Sequence, residues 1–235
     1  VVVHRLQAWE IEPKLRELSG VASSVEPGLA SRLEEIHRWI KDIKAGSLMQ
    51  KKFLMGFLLE LIQDAEVCLD LHVLTADERQ LFFSQLTPTV RYWYECLFPK
   101  WFNGHDRKFY IWKKKLKSGE FKPEDAIVIE SLARQLKMRS GTFVHRYVAD
   151  LSMATDAIAG CETGKPLCVQ LTSMSDAHSQ KKYNEWESTL RGWDIDRGLF
   201  VSYKPGKDEF MIEVVNVILH NSKHLPVEKY LKFSF

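Results

Sequence analysis

The sequence predicts an α+β protein: a helical domain of residues 1–138, then a domain of residues 139–235 built on a small mixed sheet flanked by helices. Three observations predict it. Apolar residues recur at three-to-four spacing through the first part, as on helices that bury one face. Two short runs, Asp156–Gly160 and Leu167–Thr172, flank a Gly/Lys/Pro turn from Cys161 to Pro166 and read as adjacent strands. Two more runs rich in Val, Ile and aromatic residues come later, Gly198–Tyr203 and Phe210–Leu219, with the residue types that favour strands.

In chain order, Ala30–Ile43 sets Leu33, Ile36, Ile40 and Ile43 on one helical face and Glu34, Glu35, Arg38 and Lys41 on the other. Gly46-Ser47 breaks it, with Ser47 suited to cap the next helix, and Leu48–Leu74 reads as one long apolar helix or a bent pair. Thr75-Ala-Asp-Glu78 is a capping box for a helix over Asp77–Leu86. Pro88 opens another carrying Tyr92, Trp93, Leu97 and Phe98, disturbed at Pro99. Asp106–Lys117 is a further helix stopped by Ser118-Gly119, and Pro123-Glu-Asp opens Ala126–Met138 with the Pro and acids that first turns prefer. Gly141–Leu151 reads as a short amphipathic helix, followed by the two strands and a helix over Ser179–Trp193. Then come a strand over Gly198–Tyr203, a turn over Lys204–Asp208, a strand over Phe210–Leu219, and a closing helix and tail over His224–Phe235. The order expected after residue 139 is therefore α-β-β-α-β-β.

The chain of 235 residues is long enough for one large or two modest domains with a real core. Its net charge of +2 is too small to draw a polyanion by itself, so any nucleic-acid face must come from local clustering. Cys68, Cys96, Cys161 and Cys168 show no CxxC pair and no metal-ligand spacing with histidine, which points away from zinc and from a disulfide framework. A reducing, cytoplasmic location is expected. Val1-Val2-Val3 is too short for a secretory signal, and the abrupt start suggests that the true beginning lies upstream. The most apolar stretch, Phe53–Ile62, is interrupted by Glu60 and reads as a core helix, so no membrane partner is expected.

Asp156 stands at the foot of the first strand, and Gln170 and Thr172 lie two apart on the second. Residues two apart on a strand point the same way, so both can converge on whatever Asp156 reaches across the hairpin. This pattern resembles the PD-(D/E)XK nuclease superfamily, of restriction-endonuclease-like fold, over roughly residues 139–220; the helical first half is unmatched. The family's core runs helix-strand-strand-helix-strand, with a metal-binding acid on one strand and an (E/Q)-x-K triplet on the next. The resemblance implies that Asp156 and Gln170 are ligands of Mg²⁺ or Mn²⁺ and that Thr172 stands in the lysine position. Thr172 departs from the pattern because it carries no charge; Lys181 or Lys182 in the following helix could supply the cation from a neighbouring element. Where the family often brings a glutamate from the preceding helix, this chain offers His145, with Glu130 farther upstream and Glu162 in the turn.

A second candidate is the stretch Arg107–Lys117, where Arg107, Lys108, Lys113, Lys114, Lys115 and Lys117 alternate with aromatic residues. Its cations could track phosphates while rings stack on bases. The competing reading is a surface helix with Phe109, Trp112 and Leu116 inward and the lysines solvated; the two are compatible. The rings Phe82, Phe83, Tyr92, Trp93, Tyr94, Phe98, Trp101 and Phe102 form a helical core, and an exposed remainder among them would mark a protein-partner surface. Asp176 and His178 lie in a Ser-rich loop after Thr172, without the arrangement of a hydrolase triad. No Gly-rich phosphate loop, dinucleotide fingerprint or nucleophile elbow is present. The leading expectation is a nucleic-acid-binding protein, for DNA or RNA, with a nuclease-like domain and metal-dependent phosphodiester cleavage as its candidate activity. The competing expectation is a nuclease-like scaffold without catalysis, an interaction subunit of a larger assembly.

Overall fold

A computed structural model describes residues 6–118, 126–173, 176–204 and 210–235. The chain is α+β, as expected, and divides into two units: Val1–Phe82 with Phe98–Lys122, and Phe83–Leu97 with Pro123–Phe235. The division therefore groups Phe83–Leu97 and the helix Ala126–Met138 with the sheet, where a boundary near residue 138 would set them apart. Burial explains the second assignment: Leu132 and Leu136 are fully buried in the core of the sheet unit.

The helices run α1 (Ile11–Val25), α2 (Pro27–Ile40), α3 (Ala45–Gln50), α4 (Lys52–Val73), α5 (Ala76–Ser84), α6 (Pro88–Tyr92), α7 (Phe98–Asn103), α8 (Phe109–Ser118) and α9 (Ala126–Met138), with a π turn at Trp93–Leu97. That turn precedes Pro99, which lacks the amide hydrogen an α-helix would use there. In the first unit, Ile11, Leu15 and Leu18 of α1 share the core with Leu29, Leu33 and Ile36 of α2 and with Leu54, Phe57 and Leu61 of α4. Each such side chain contributes roughly 1.5–3 kcal/mol on burial. Asp106 organises the approach to α8: its carboxylate accepts Trp101 Nε1–H at 3.3 Å, Trp112 Nε1–H at 3.1 Å and the Lys108 amide at 2.9 Å.

In the second unit the order is β1 (Gly141–Val144), α10 (Tyr147–Met153), β2 (Ala157–Cys161), β3 (Leu167–Thr172), α11 (Asp176–Gly192), β4 (Arg197–Ser202), α12 (Phe210–His224) and β5 (Lys229–Ser234). Among the described residues these strands form one five-stranded sheet in the order β1-β2-β3-β4-β5. The first three are antiparallel neighbours, and β3-β4 and β4-β5 are parallel.

Three expectations are corrected here. Gly141–Val144 is a strand, and the helix begins only at Tyr147. Ser140, with φ of 53°, takes the left-handed conformation that ends α9, and Thr142-Phe-Val144 then pairs with β2. Phe210–Leu219 is part of a helix that continues to His224. Its buried positions Met211, Val214, Val215 and Ile218 follow the helical period, and that burial overrides the strand preference of Val and Ile. Lys229–Ser234 is a strand, not a closing helix; parallel pairing with β4 requires a crossover, which α12 supplies. The expected turn at Lys204–Asp208 lies, apart from Lys204, outside the described residues, as do Gly119 and Pro123-Glu-Asp125.

One sheet face carries Ala157, Ala159, Val169, Leu171, Leu199 and Val201, which pack with Met211, Val214 and Ile218 of α12 and Leu132 and Leu136 of α9. On the other face Phe200 meets Tyr183 and Trp186 of α11 at ring separations of 5.8 and 5.6 Å. Gly198 permits that close approach: a Cβ there would lie 2.7 Å from the Trp186 ring and 2.6 Å from Leu190.

Candidate functional site at the ends of the parallel strands

The site grows from the end of α10. Ala154, with φ of 51°, turns the chain out of the helix, and the Thr155 amide donates to Ala149 O at 3.0 Å. This turn delivers Asp156 to the foot of β2. The β2-β3 ladder has its last pair at Ala157↔Val169. One step further, the Leu171 amide donates to Asp156 Oδ2 at 2.6 Å, so the carboxylate takes the acceptor place that β2 no longer offers. Gln170 Nε2 donates to the same oxygen at 2.5 Å and to Leu171 O at 3.1 Å. Asp156 is only 7% exposed, and a buried carboxylate is tolerable because N–H donors face it.

Two residues along β3, Thr172 is 2% exposed, and its Oγ1 accepts a hydrogen bond from Lys182 Nζ at 2.8 Å. Lys181 goes elsewhere: its side chain is 86% exposed and lies 3.9 Å from Glu185. Neighbouring helix positions differ by about 100° around the axis, which is why only one of the two lysines reaches the sheet. Asp156 and Gln170 are thus in contact, Thr172 and Lys182 are in contact, and Gln170 and Thr172 share a sheet face.

Of the other positions considered for an acid, His145 follows β1 at the Asp156 end of β2, since Val144 pairs with Ile158, whereas Glu130 and Glu162 lie elsewhere. His145 Nε2 is 3.8 Å from Asp150 Oδ2, and its ring packs edge-on against Tyr147. Glu130 is exposed on α9, the helix of the opposite face, and Glu162 is exposed in the turn at the far end of β2. The side chains of Asp176 and His178 lie outside the described residues.

A divalent cation such as Mg²⁺ takes oxygen ligands, commonly one or two carboxylates completed by water and substrate phosphate. Asp156 Oδ2 and Leu171 O converge on Gln170 Nε2, so an amide nitrogen lies where two oxygens meet. As it stands, Asp156 Oδ2 is taken by two N–H donors, from Gln170 and Leu171; a cation there would need the Gln170 amide turned over so that Oε1, with the Asp156 carboxylate, faced it. Among the described residues no group of three or more His, Cys, Asp or Glu side chains is placed to hold a metal ion. Such a cation would therefore draw its remaining ligands from water and phosphate.

Sequence reasoning missed the polar groups that extend this ledge. Thr172, Ser202 and Ser234 stand in register across β3, β4 and β5. Ser202 Oγ and Ser234 Oγ are 2.8 Å apart, and Lys232 Nζ donates to Gln180 Oε1 at 3.1 Å. The signal was present in the alternation of Tyr230, Lys232 and Ser234 with Leu231 and Phe233, a strand period.

In the helical unit, α8 combines the two readings of its sequence. Phe109, Trp112 and Leu116 are buried, whereas Lys114, Lys115, Lys117, Tyr110 and Ile111 are exposed. Lys113 is half-buried with its ammonium over the Phe109 ring at 4.7 Å. Arg107, exposed, and Lys108, half-buried, immediately precede the helix. The eight-ring aromatic cluster leaves no exposed remainder: Phe83, Trp93, Phe98, Trp101 and Phe102 are buried, and Phe82, Tyr92 and Tyr94 are half-buried. No described helix is long and apolar enough to cross a membrane.

No family model, curated protein or solved structure matches this chain.

Proposed function

We propose that this chain binds nucleic acid and that its sheet unit is a PD-(D/E)XK-type domain whose reaction is metal-dependent cleavage of phosphodiesters. The observation that carries the reading is the 2.8 Å hydrogen bond from Lys182 Nζ to Thr172 Oγ1. It sets an ammonium at the strand position where the motif has its lysine, from the helix that the sequence named as a possible source. The succession α10-β2-β3-α11-β4 agrees with the helix-strand-strand-helix-strand core of that superfamily.

Each residue then has a role. Asp156 and Gln170 are the residues that would hold Mg²⁺ or Mn²⁺ beside a substrate phosphate. The cation, when bound, lowers the pKa of its water and stabilises the leaving oxygen. Lys182 offsets charge that builds on the phosphate, and Thr172 fixes where that ammonium sits. In the helical unit, Arg107, Lys108, Lys113, Lys114, Lys115 and Lys117 supply cations for the phosphate backbone, with the exposed Tyr110 ring available for stacking. A reducing, cytoplasmic setting suits four cysteines that form no disulfide.

The test is cleavage of single- and double-stranded DNA and RNA with Mg²⁺ and with Mn²⁺. The reading expects products from the wild type, none from Asp156→Ala, and about 10²-fold slower cleavage from Lys182→Ala, with both variants folded. The second reading, a nuclease-like scaffold that binds without cutting, is favoured by the Gln170 amide donating into Asp156, a contact that needs no cation. Salt-sensitive binding by an inert wild type selects that reading, and a wild type that binds none of the four substrates overturns both.

A further inference from the structure

We infer that the edge strand β5 forms a second phosphate subsite, so that the ligand of the ledge is an extended polynucleotide strand rather than a single phosphate or mononucleotide. This rests on the nucleic-acid reading above and adds the direction in which the strand runs.

The inference starts from register. Thr172 pairs with Ser202 and Ser202 with Ser234, so three hydroxyl residues form one row across the C-terminal ends of the three parallel strands. One step back lies the row Gln170, Phe200 and Lys232. Both rows belong to the face covered by α11, because Phe200 packs on Tyr183 and Trp186, and Tyr230 packs on Trp186. The ledge therefore carries an ammonium near each end. Lys182 sits on Thr172 of β3, and Lys232 projects from β5 to Gln180 of the same helix.

Two strand spacings, about 10 Å, separate the β3 and β5 ends of the row. Lysine side chains bend through several rotatable bonds, which brings two such ammonium groups within reach of successive phosphates along an extended strand. Between them the hydroxyls of Thr172 and Ser202 lie beneath the surface, so the rim that a polynucleotide strand would meet is Ser234 and the two ammonium groups. Thr172 and Ser202 are each 2% exposed, and Ser202 Oγ contacts both Ser234 Oγ at 2.8 Å and Phe233 O at 3.3 Å. Ser234 is exposed as a residue, with its hydroxyl held against Ser202 Oγ. Lys232 and Gln180 form a neutral-acceptor contact rather than an ion pair, so an incoming phosphate displaces an amide oxygen and not a carboxylate. Lys229 lies at the other end of the same strand, pointing with Leu231 and Phe233 to the opposite face, and serves as an internal control.

The experiment is fluorescence anisotropy of the full-length chain with a labelled single-stranded oligonucleotide, across a salt series, for the wild type, Lys232→Ala, Lys232→Arg and Lys229→Ala. A mononucleotide is measured in parallel by competition. Each lost phosphate contact on a single strand lowers the slope of log K against log salt by about 0.7. Lys232→Ala is expected to show that reduction and weaker oligonucleotide binding, with mononucleotide binding unchanged. Lys232→Arg and Lys229→Ala are expected to keep both slope and affinity. Equal slopes and affinities for the wild type and a folded Lys232→Ala, in a chain that does bind oligonucleotide, overturn the subsite alone. A wild type that binds no oligonucleotide overturns the nucleic-acid reading and the subsite with it.

Discussion

Thr172 Oγ1 accepts a hydrogen bond from Lys182 Nζ at 2.8 Å, and this one contact ties the buried end of β3 to α11. A hydroxyl and an ammonium from different elements together occupy the volume that a single longer side chain on the strand could fill. The pair is therefore open to a swap.

Lys182→Ala should lower cleavage by about 10²-fold or more, the size of effect seen when one charge-stabilising donor is lost from an active site. Adding Thr172→Lys to that variant should return part of the activity, because the new side chain grows from β3 into the space Lys182 leaves. Single-turnover cleavage with saturating Mn²⁺ measures both. A folded double variant as inactive as Lys182→Ala would mean that the position of the charge is not what matters.

The Asp156–Gln170 contact gives a second test. Gln170→Glu replaces the Nε2 donor, 2.5 Å from Asp156 Oδ2, with an acceptor. Two adjoining carboxylates cannot both ionise at little cost unless a proton or cation joins them. With a chelator present the variant should lose about 1–3 kcal/mol of stability, a fall of several degrees in the unfolding midpoint. Mn²⁺ should restore the midpoint of the variant, because a ligand bound only by the folded state stabilises it. Thermal unfolding with and without Mn²⁺ reads the outcome, and a variant indifferent to the ion would remove Asp156 and Gln170 as a cation pair.

Local pattern carried the β2-β3 hairpin and most of this site. The turn from Cys161 to Pro166 makes Asp156 and Gln170 cross-strand neighbours, and spacing on β3 sets Gln170 and Thr172 on one face. What local pattern could not carry was the choice between Lys181 and Lys182, which depends on how α11 is rotated against Phe200 and Gly198. The end of the chain was harder still. Val214, Val215 and Ile218 have strand-forming side chains at helix-forming spacing, and only burial against Val169 and Val201 decides between them. Reading α12 as a strand left β5 to be read as a helix, and Lys232 and Ser234 went unnoticed.

The far end of the sheet predicts a reactivity contrast between two cysteines. Burial pushes the Cys161 thiol up, but hydrogen bonds from Ser222 and Thr163 and the charge of Lys223 outweigh it and leave the thiol below its ordinary value. Ser222 Oγ lies 3.1 Å from Cys161 Sγ. Cys68 is pushed up to about 12 by burial and by the charges of Glu26 and Asp64. Since the thiolate is the reacting form, iodoacetamide near neutral pH should label Cys161 well before Cys68, and Ser222→Ala should slow the labelling of Cys161. Mass spectrometry of timed samples checks it. The linked effects on stability have opposite signs. Folded Cys161 loses its proton below 9.0, so rising pH up to that value favours the folded state through this group. Folded Cys68 keeps its proton to about 12, so between 9.0 and that value rising pH favours unfolding through it.

Gly198→Ala should damage the site from a distance. Its new Cβ would meet Leu190 Cδ1 at 2.6 Å and Trp186 Cζ2 at 2.7 Å, both on the inner face of α11. The helix must shift or the rings must leave their rotamers, at about 1–3 kcal/mol. Because Lys182 rides on α11, the same displacement should pull its ammonium off Thr172 and lower cleavage further than the loss of stability alone explains. Gly192→Ala on the same helix meets nothing within 4 Å, and it should be neutral or stabilising by about 0.4–1 kcal/mol. Urea unfolding and cleavage assays on the two variants separate the cases. If Gly198→Ala unfolds earlier yet, under conditions where it is fully folded, cuts as fast as the wild type, the packing of α11 does not position Lys182.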